Sequence, residues 1–177
     1  MADLIPEMRR VKDVQEIENI RKAVDVTGNG ILAAMKAVQP GLLEFQLQSV
    51  VEHAYEMEGA QFLGFSTILA WGPNTTVLHY ARNNQPIQAT GLVLIDTGAA
   101  WAHYSADVTR TIPVNGTFSD RERELYELVL KASDAAIQKV QVGANYYDDV
   151  LVTKEGPVLL SGHIPRTLEE IESTMSN

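Results

Sequence analysis

The chain contains no cysteine among its 177 residues. It therefore has neither a disulfide framework nor a thiolate metal site, and any metal must be held by oxygen and imidazole ligands. It also lacks any apolar run near the ~20 residues that a membrane-spanning helix needs. Residues Met1–Glu7 show neither the basic nor the apolar region of a signal peptide. We therefore expect a cytoplasmic protein with no membrane partner.

Positive charge is scarce as well. The chain has 14 Lys and Arg against 23 Asp and Glu, which gives a net charge of −9. Because a nucleic-acid-binding face is basic, we expect no nucleic-acid partner. Hydrophobic residues make up 45% and charged residues 21% of the chain, as in an ordinary soluble domain. The length suits a single domain over residues 1–177.

Three amphipathic helices are predicted. The first covers residues 13–37, where a capping-box pattern precedes apolar residues at helical spacing. Pro40-Gly41 ends it, and a second helix runs to about Met57. A third helix, capped by Ser119, runs to about Val140. Its apolar face predicts a core stripe made of Leu125, Leu128, Val129, Ala132, Ala136 and Val140.

Two runs rich in β-branched residues, Gly91–Gly98 and Asp107–Thr111, predict a β-hairpin. Each run carries one aspartate, Asp96 and Asp107, and their spacing allows a hairpin to place both carboxylates on one face. Facing carboxylates repel unless a proton or a metal lies between them, and oxygen ligands suit Mn²⁺ or Mg²⁺. The alternative is that Asp96 begins a turn and Asp107 is a solvated edge residue.

Two other residues are candidates for a function. His79 lies where a strand pattern gives way to a polar loop, and an imidazole there could contact substrate or move a proton. The alternative is a surface histidine at a strand end. Arg110 either pairs with a carboxylate or is a surface charge. His103 reads as a turn residue, and His53 has no predicted role.

These residues lie in a set of motifs that resembles the aminopeptidase P/prolidase family, the Xaa-Pro metallopeptidases of the pita-bread fold. The core of the resemblance is Leu94–Ala99 followed by Ser105–Thr111. Further matches lie at Trp71–Asn74, Leu78–Tyr80, Ile112–Ser119 and Leu125–Leu130.

The resemblance implies an α+β fold, an incomplete pita-bread (creatinase/aminopeptidase-like) fold with helices packed on a curved, mostly antiparallel sheet. It implies that Asp96 and Asp107 are metal ligands, with Mn²⁺ the expected ion, and that His79 contacts substrate. The implied reaction is hydrolysis of the bond before proline in peptides with proline in the second position.

The resemblance breaks near Tyr147. Residues 7–147 resemble the N-terminal half of the family's catalytic domain, and residues 148–177 resemble its last strand and tail. The segment that supplies a metal-binding histidine and two glutamates is missing, and Tyr147 stands at the last glutamate's position. Of Asp148 and Asp149, strand alternation lets at most one assist.

Two interpretations follow from this break. The chain is a metallopeptidase of this family with impaired activity, or it is a non-catalytic peptide- or protein-binding module. In either case the surface that the missing half would cover is exposed, and a homodimer that pairs two first halves would cover it.

Overall fold

The computed structural model describes residues 4–141 and 149–176. Its helices are α1 (Leu4–Arg10), α2 (Val14–Ala37), α3 (Glu44–Met57), α4 (Asp120–Ile137) and α5 (Leu168–Met175), with a 3₁₀ turn at Gly72–Thr76. Its strands are β1 (Phe62–Leu63), β2 (Ile68–Trp71), β3 (Leu92–Thr97), β4 (Ala99–Trp101), β5 (Tyr104–Ser105), β6 (Val108–Pro113), β7 (Val150–Thr153) and β8 (Gly156–Leu159). No helix in these ranges is long and apolar enough to span a bilayer.

Helices α2 and α3 form the layer that covers one face of the main sheet. The Asp13 carboxylate accepts the Glu16 amide at 2.8 Å and begins α2 where the capping pattern predicted. Close packing of the two helices depends on Gly30, because a Cβ there would overlap the ring of Tyr55 on α3. The Tyr55 ring is 2% exposed and reaches the sheet, where its hydroxyl lies 2.9 Å from the Thr97 hydroxyl.

The main sheet is antiparallel with strand order β2-β3-β6. On β3 the side chains of Val93, Ile95 and Thr97 are buried, and the alternate ones, including Asp96, are only partly buried. This alternation directs one face of β3 into the helical core. Two smaller antiparallel sheets, β1-β4-β5 and β7-β8, complete the expected α+β fold. Within residues 148–177, where the resemblance implies a last strand, β7 pairs with β8 as a hairpin.

The predicted core stripe on the third helix is wrong. Leu125, Leu128 and Val129 of α4 are 44%, 66% and 67% exposed. The helix is held from its other side, where the Tyr126 ring packs on Phe118 with centroids 5.1 Å apart. Helical periodicity identifies an apolar face but does not show what covers that face.

Arg110 is a buried residue, 5% exposed, which excludes the surface-charge alternative. Its Nε donates to the Pro165 carbonyl at 2.9 Å, and its Nη2 donates to the carbonyls of Ser161 and Ile164 at 3.1 and 3.3 Å. Arg110 therefore joins β6 to the turn that precedes α5.

Gly98 links β3 to β4 at a point where the backbone passes very close to Ala106. A Cβ at Gly98 would overlap the Ala106 carbonyl and lie 3.1 Å from the Phe65 ring. A backbone atom cannot move aside as a flexible side chain can. The close approach of the two halves of the hairpin therefore requires glycine.

We expect Gly98→Ala to lower the free energy of unfolding by about 3 kcal/mol or more, because strands must separate to admit the methyl group. The matched control is Gly41→Ala, since Gly41 has φ +92° and open space around it. That variant should lose only about 1 kcal/mol, the cost of left-handed backbone. Urea denaturation measures both, and equal losses would contradict the steric explanation.

Candidate functional site

Asp96, Asp107 and His79 line a single cleft of about 610 Å³ between the main sheet and residues 72–81. The sequence separates these three residues, and the fold brings them together. Apolar side chains form much of the remaining wall: Phe65, Ile68, Ala70, Val77, Leu78 and Leu94. The cleft thus combines an acidic floor with an apolar surround.

The register of β3 against β6 brings the two aspartates together. Asp96 lies opposite Thr109, and Thr97 lies opposite Val108, so Asp107 follows directly at the end of the ladder. Asp96 and Asp107 line the same cleft, and the Asp107 carboxyl is close enough to influence the pKa of Asp96. The hairpin predicted from the spacing therefore does place both carboxylates on one face.

The carboxyl group of Asp96 is in an unfavourable environment. Burial raises its pKa, while the Thr109 hydroxyl, the charge of His79 and the Asp107 carboxyl act in the opposite direction. Its Oδ1 atom is buried and has no hydrogen-bond partner among the described residues. A buried acceptor without a partner costs about 1–3 kcal/mol, so this atom is a candidate ligand for a bound cation.

These residues fit a divalent ion in part. The partnerless oxygen of Asp96 and the adjacent Asp107 carboxylate can supply two hard oxygen ligands. No cluster of three or more potential ligand side chains occurs within residues 4–141 and 149–176. The described residues thus offer part of the ligand set of one ion and do not provide a two-ion centre.

Asp149 also reaches this site. Its Oδ2 atom accepts the backbone N–H of Asp107 at 3.0 Å, so the segment before β7 contacts the end of the aspartate hairpin. Asp148 and Tyr147, which the sequence analysis placed beside it, lie outside the described residues. Asp149 fixes the Asp107 backbone by this contact.

His79 lies on the loop of residues 72–90, called here the histidine loop. Its backbone has φ +52°, and the residue is exposed to the cleft. A left-handed conformation costs a residue with a side chain about 1 kcal/mol, so the surrounding loop must hold it. The location of His79 suits a substrate contact, and that role stays a prediction.

Two buried polar residues that the sequence analysis missed hold the histidine loop. Glu44, 0% exposed, accepts hydrogen bonds from the Trp71 and Gln85 amides at 2.8 and 3.0 Å. The Tyr80 hydroxyl donates to Glu44 at 2.8 Å, and burial together with this bond raises the Tyr80 pKa. No sequence pattern identifies Glu44, because an acidic residue in the first turn of a helix is commonplace.

Asn83 is the second of these residues. It is 4% exposed and has φ +44°, a conformation that asparagine tolerates better than most residues. Its Oδ1 accepts the Leu69 amide at 3.1 Å, and its Nδ2 donates to the Thr67 carbonyl at 2.7 Å. Asn83 thus ties the loop to β2.

Comparison with known proteins identifies what this architecture resembles. The model of metallopeptidase family M24 matches residues 18–151. The Xaa-Pro aminopeptidase of Haemophilus influenzae is 40% identical over 140 residues, which are 79% of this chain and 33% of the relative. The Xaa-Pro dipeptidase of Pyrococcus furiosus is 36% identical over 141 residues, which are 80% of this chain and 40% of the relative.

The fold is also that of solved aminopeptidases. The aminopeptidase PepP of Pseudomonas aeruginosa superimposes with a TM-score of 0.89 at 23% identity, covering 96% of this chain and 60% of that one. This likeness confirms the expected aminopeptidase-like fold. The chain spans about a third of the length of the curated relatives it matches.

We expect Asp96→Asn to stabilise the metal-free protein by about 1 kcal/mol at neutral pH, because it removes a desolvated charge beside Asp107. The folded-state pKa of Asp96 is raised, so the cost of its charge is fully present above that pKa. Below the unfolded pKa of about 3.9 the group is protonated in both states and the gain disappears.

Urea denaturation at neutral and acidic pH measures this gain. The control is Glu18→Gln, which neutralises an exposed acid on α2 and should change stability by less than about 0.5 kcal/mol. A loss of stability in Asp96→Asn at neutral pH would contradict the expectation.

Proposed function

Because the chain belongs to metallopeptidase family M24, we propose that it binds a divalent ion, Mn²⁺ being the expected one, and Xaa-Pro peptides in the cleft of Asp96, Asp107 and His79. The observation that carries this proposal is the buried, partnerless Oδ1 of Asp96 beside the Asp107 carboxyl. When bound, a divalent ion polarises the peptide carbonyl and activates water for hydrolysis.

The lining of the cleft supports a proposed role for each of these residues. Asp96 and Asp107 supply negative charge that attracts a cation and the ammonium group of a peptide N-terminus. His79 extends into the same cleft and offers an imidazole to a peptide carbonyl. The apolar wall, which includes Phe65 and Val77, accommodates a proline ring or an apolar side chain. Relatives named Xaa-Pro aminopeptidase and Xaa-Pro dipeptidase support proline-containing peptides as the ligand class.

The extent of the chain bears on its activity. We propose that residues 7–147 correspond to the N-terminal half of the family's catalytic domain and residues 148–177 to its C-terminal strand and tail. Since the described residues offer part of a ligand set, we expect this chain to bind one ion weakly and to hydrolyse peptides slowly or not at all. The cytoplasmic location expected from the sequence stays a prediction.

A second candidate function is a non-catalytic binding or dimerisation module. The observation that favours it is the exposed apolar stripe of α4, in which Leu128 is 66% exposed. Contiguous apolar surface of this kind is typical of a protein–protein contact. A homodimer joined through α4 would cover the stripe on both copies.

Calorimetric titration of Mn²⁺ into the metal-free protein tests the first proposal. We expect a dissociation constant on the order of 0.1–1 mM, as at sites with few carboxylate ligands. Asp96→Asn should weaken binding at least about tenfold, because it removes a charged ligand. Asp25→Asn, an exposed acid on α2, is the control and should bind as the wild type does. No heat at millimolar Mn²⁺ would refute the metal site.

Sedimentation velocity tests the second candidate. If α4 mediates a dimer, Leu128→Glu should shift a concentrated sample to monomer, because the charge cannot be buried in the contact. Lys131→Glu adds negative charge on the same helix outside the stripe and should leave the dimer largely intact. A wild-type chain that is monomeric at about 100 μM would exclude a dimer of useful affinity.

A further inference from the structure

A carboxylate on a different element, that of Glu44, contacts the histidine loop at several points. We propose that Glu44 is a positioning residue for His79: its buried carboxylate holds the histidine loop so that the imidazole faces Asp96 and Asp107. Glu44 lies in the first turn of α3 and is not among the residues that line the cleft. An effect of Glu44 on the cleft therefore passes through the residues that it contacts, most of which lie on the loop.

Glu44 contacts residues on both sides of His79, at the end of β2 and along the loop. Before the histidine, Oε1 accepts from the Trp71 amide at 2.8 Å and from the Asn74 side-chain amide at 3.1 Å. After the histidine, Oε2 accepts from the Tyr80 hydroxyl at 2.8 Å and from the Gln85 amide at 3.0 Å. One carboxylate thus joins the segment before residue 79 to the segment after it.

Two of these donors also contact each other. The Asn74 side-chain amide lies 3.1 Å from the Tyr80 hydroxyl, so Asn74, Tyr80 and Glu44 form a closed set of hydrogen bonds. Tyr80 is adjacent to His79 in the chain and is 6% exposed. A fixed Tyr80 leaves the exposed His79 backbone little freedom to turn away from the cleft.

The buried carboxylate of Glu44 requires hydrogen-bond donors around it. Glu44 is 0% exposed, and a buried carboxylate is tolerated when donors surround it. An amide in its place has one acceptor oxygen and one donor group, and that donor would face other donors. Glu44→Gln therefore keeps the shape of the side chain and removes about half of its hydrogen bonds to the loop.

Backbone contacts join the far end of the loop to the start of α3 independently of this carboxylate. The Gly41 amide donates to the Ile87 carbonyl at 2.9 Å, and the Ile87 amide donates to the Leu42 carbonyl at 2.8 Å. Asn83 adds its own bonds to β2. The loop should therefore remain attached when Glu44 is changed, so the local position of His79 can be tested in a folded protein.

The proposal rests on the proposed function only for the role of His79 toward substrate, and its test needs neither metal nor peptide. Hydrogen exchange followed by NMR in the metal-free protein reports on the Trp71 and Gln85 amides. In Glu44→Gln we expect at least one of the two to exchange about tenfold faster, while amides of β3 keep their wild-type rates. Glu56→Gln, an exposed acid on the same helix, is the matched control and should leave both unchanged.

The second readout measures the position of His79 itself. Asp96→Asn should shift the His79 ring signals, because the two side chains line the same cleft. His79→Gln identifies those signals among the four histidines. In a Glu44→Gln background the response to Asp96→Asn should fall at least about twofold, whereas a Glu56→Gln background should retain it. A general loss of stability would not selectively reduce the shift that Asp96→Asn causes in the His79 signals.

Each outcome decides the proposal. The proposal is overturned if the His79 signals respond to Asp96→Asn as strongly in the Glu44→Gln background as in the wild type, or if both amides exchange at wild-type rates. It is also overturned if Asp96→Asn leaves the His79 signals of the otherwise wild-type protein unchanged. If Glu44→Gln does not fold, Tyr80→Phe removes a single hydroxyl donor from the same set, and a reduced response is again expected. Failure of Mn²⁺ or peptide binding would refute the proposed function and leave this test unaffected.

Discussion

The backbone ladder between β3 and β6 is the constraint on which the rest of the site depends. Its register sets Asp96 opposite Thr109 and brings Asp107 to the adjoining position. Two carboxylates would separate in a free chain, and here the hydrogen bonds of six paired positions hold them together against their repulsion. The cohesion of the sheet thus sustains a local arrangement that is unfavourable in the absence of a cation.

The sequence predicts those parts of the structure that depend on short-range patterns. The cap of α2 at Asp13, the hairpin that contains Asp96 and Asp107, and the turn at His103 are local, and all three are observed. The exposure of Leu128 could not be predicted from helical periodicity, since burial depends on which element covers the helix. The roles of Asp96, Asp107 and His79 follow from a family resemblance and stay predictions.

The hydrogen bonds that hold the histidine loop could not be predicted from the sequence, for a different reason. Glu44 and Tyr80 are 36 positions apart, and Glu44 and Gln85 are 41 positions apart. Neither pair has a spacing that helix or strand geometry would single out. Buried polar networks between elements are specified by the packed fold, so they become visible only when the elements have been placed.

The burial of Arg110 has an implication for how this fold can be shortened. The guanidinium charge inside the protein is surrounded by carbonyl oxygens from residues 161–165, close to the C-terminal helix. Loss of those residues would remove the carbonyl acceptors on which the buried guanidinium depends. The turn before α5 is therefore an electrostatic requirement of β6, and any shortened variant of this chain has to keep the two together.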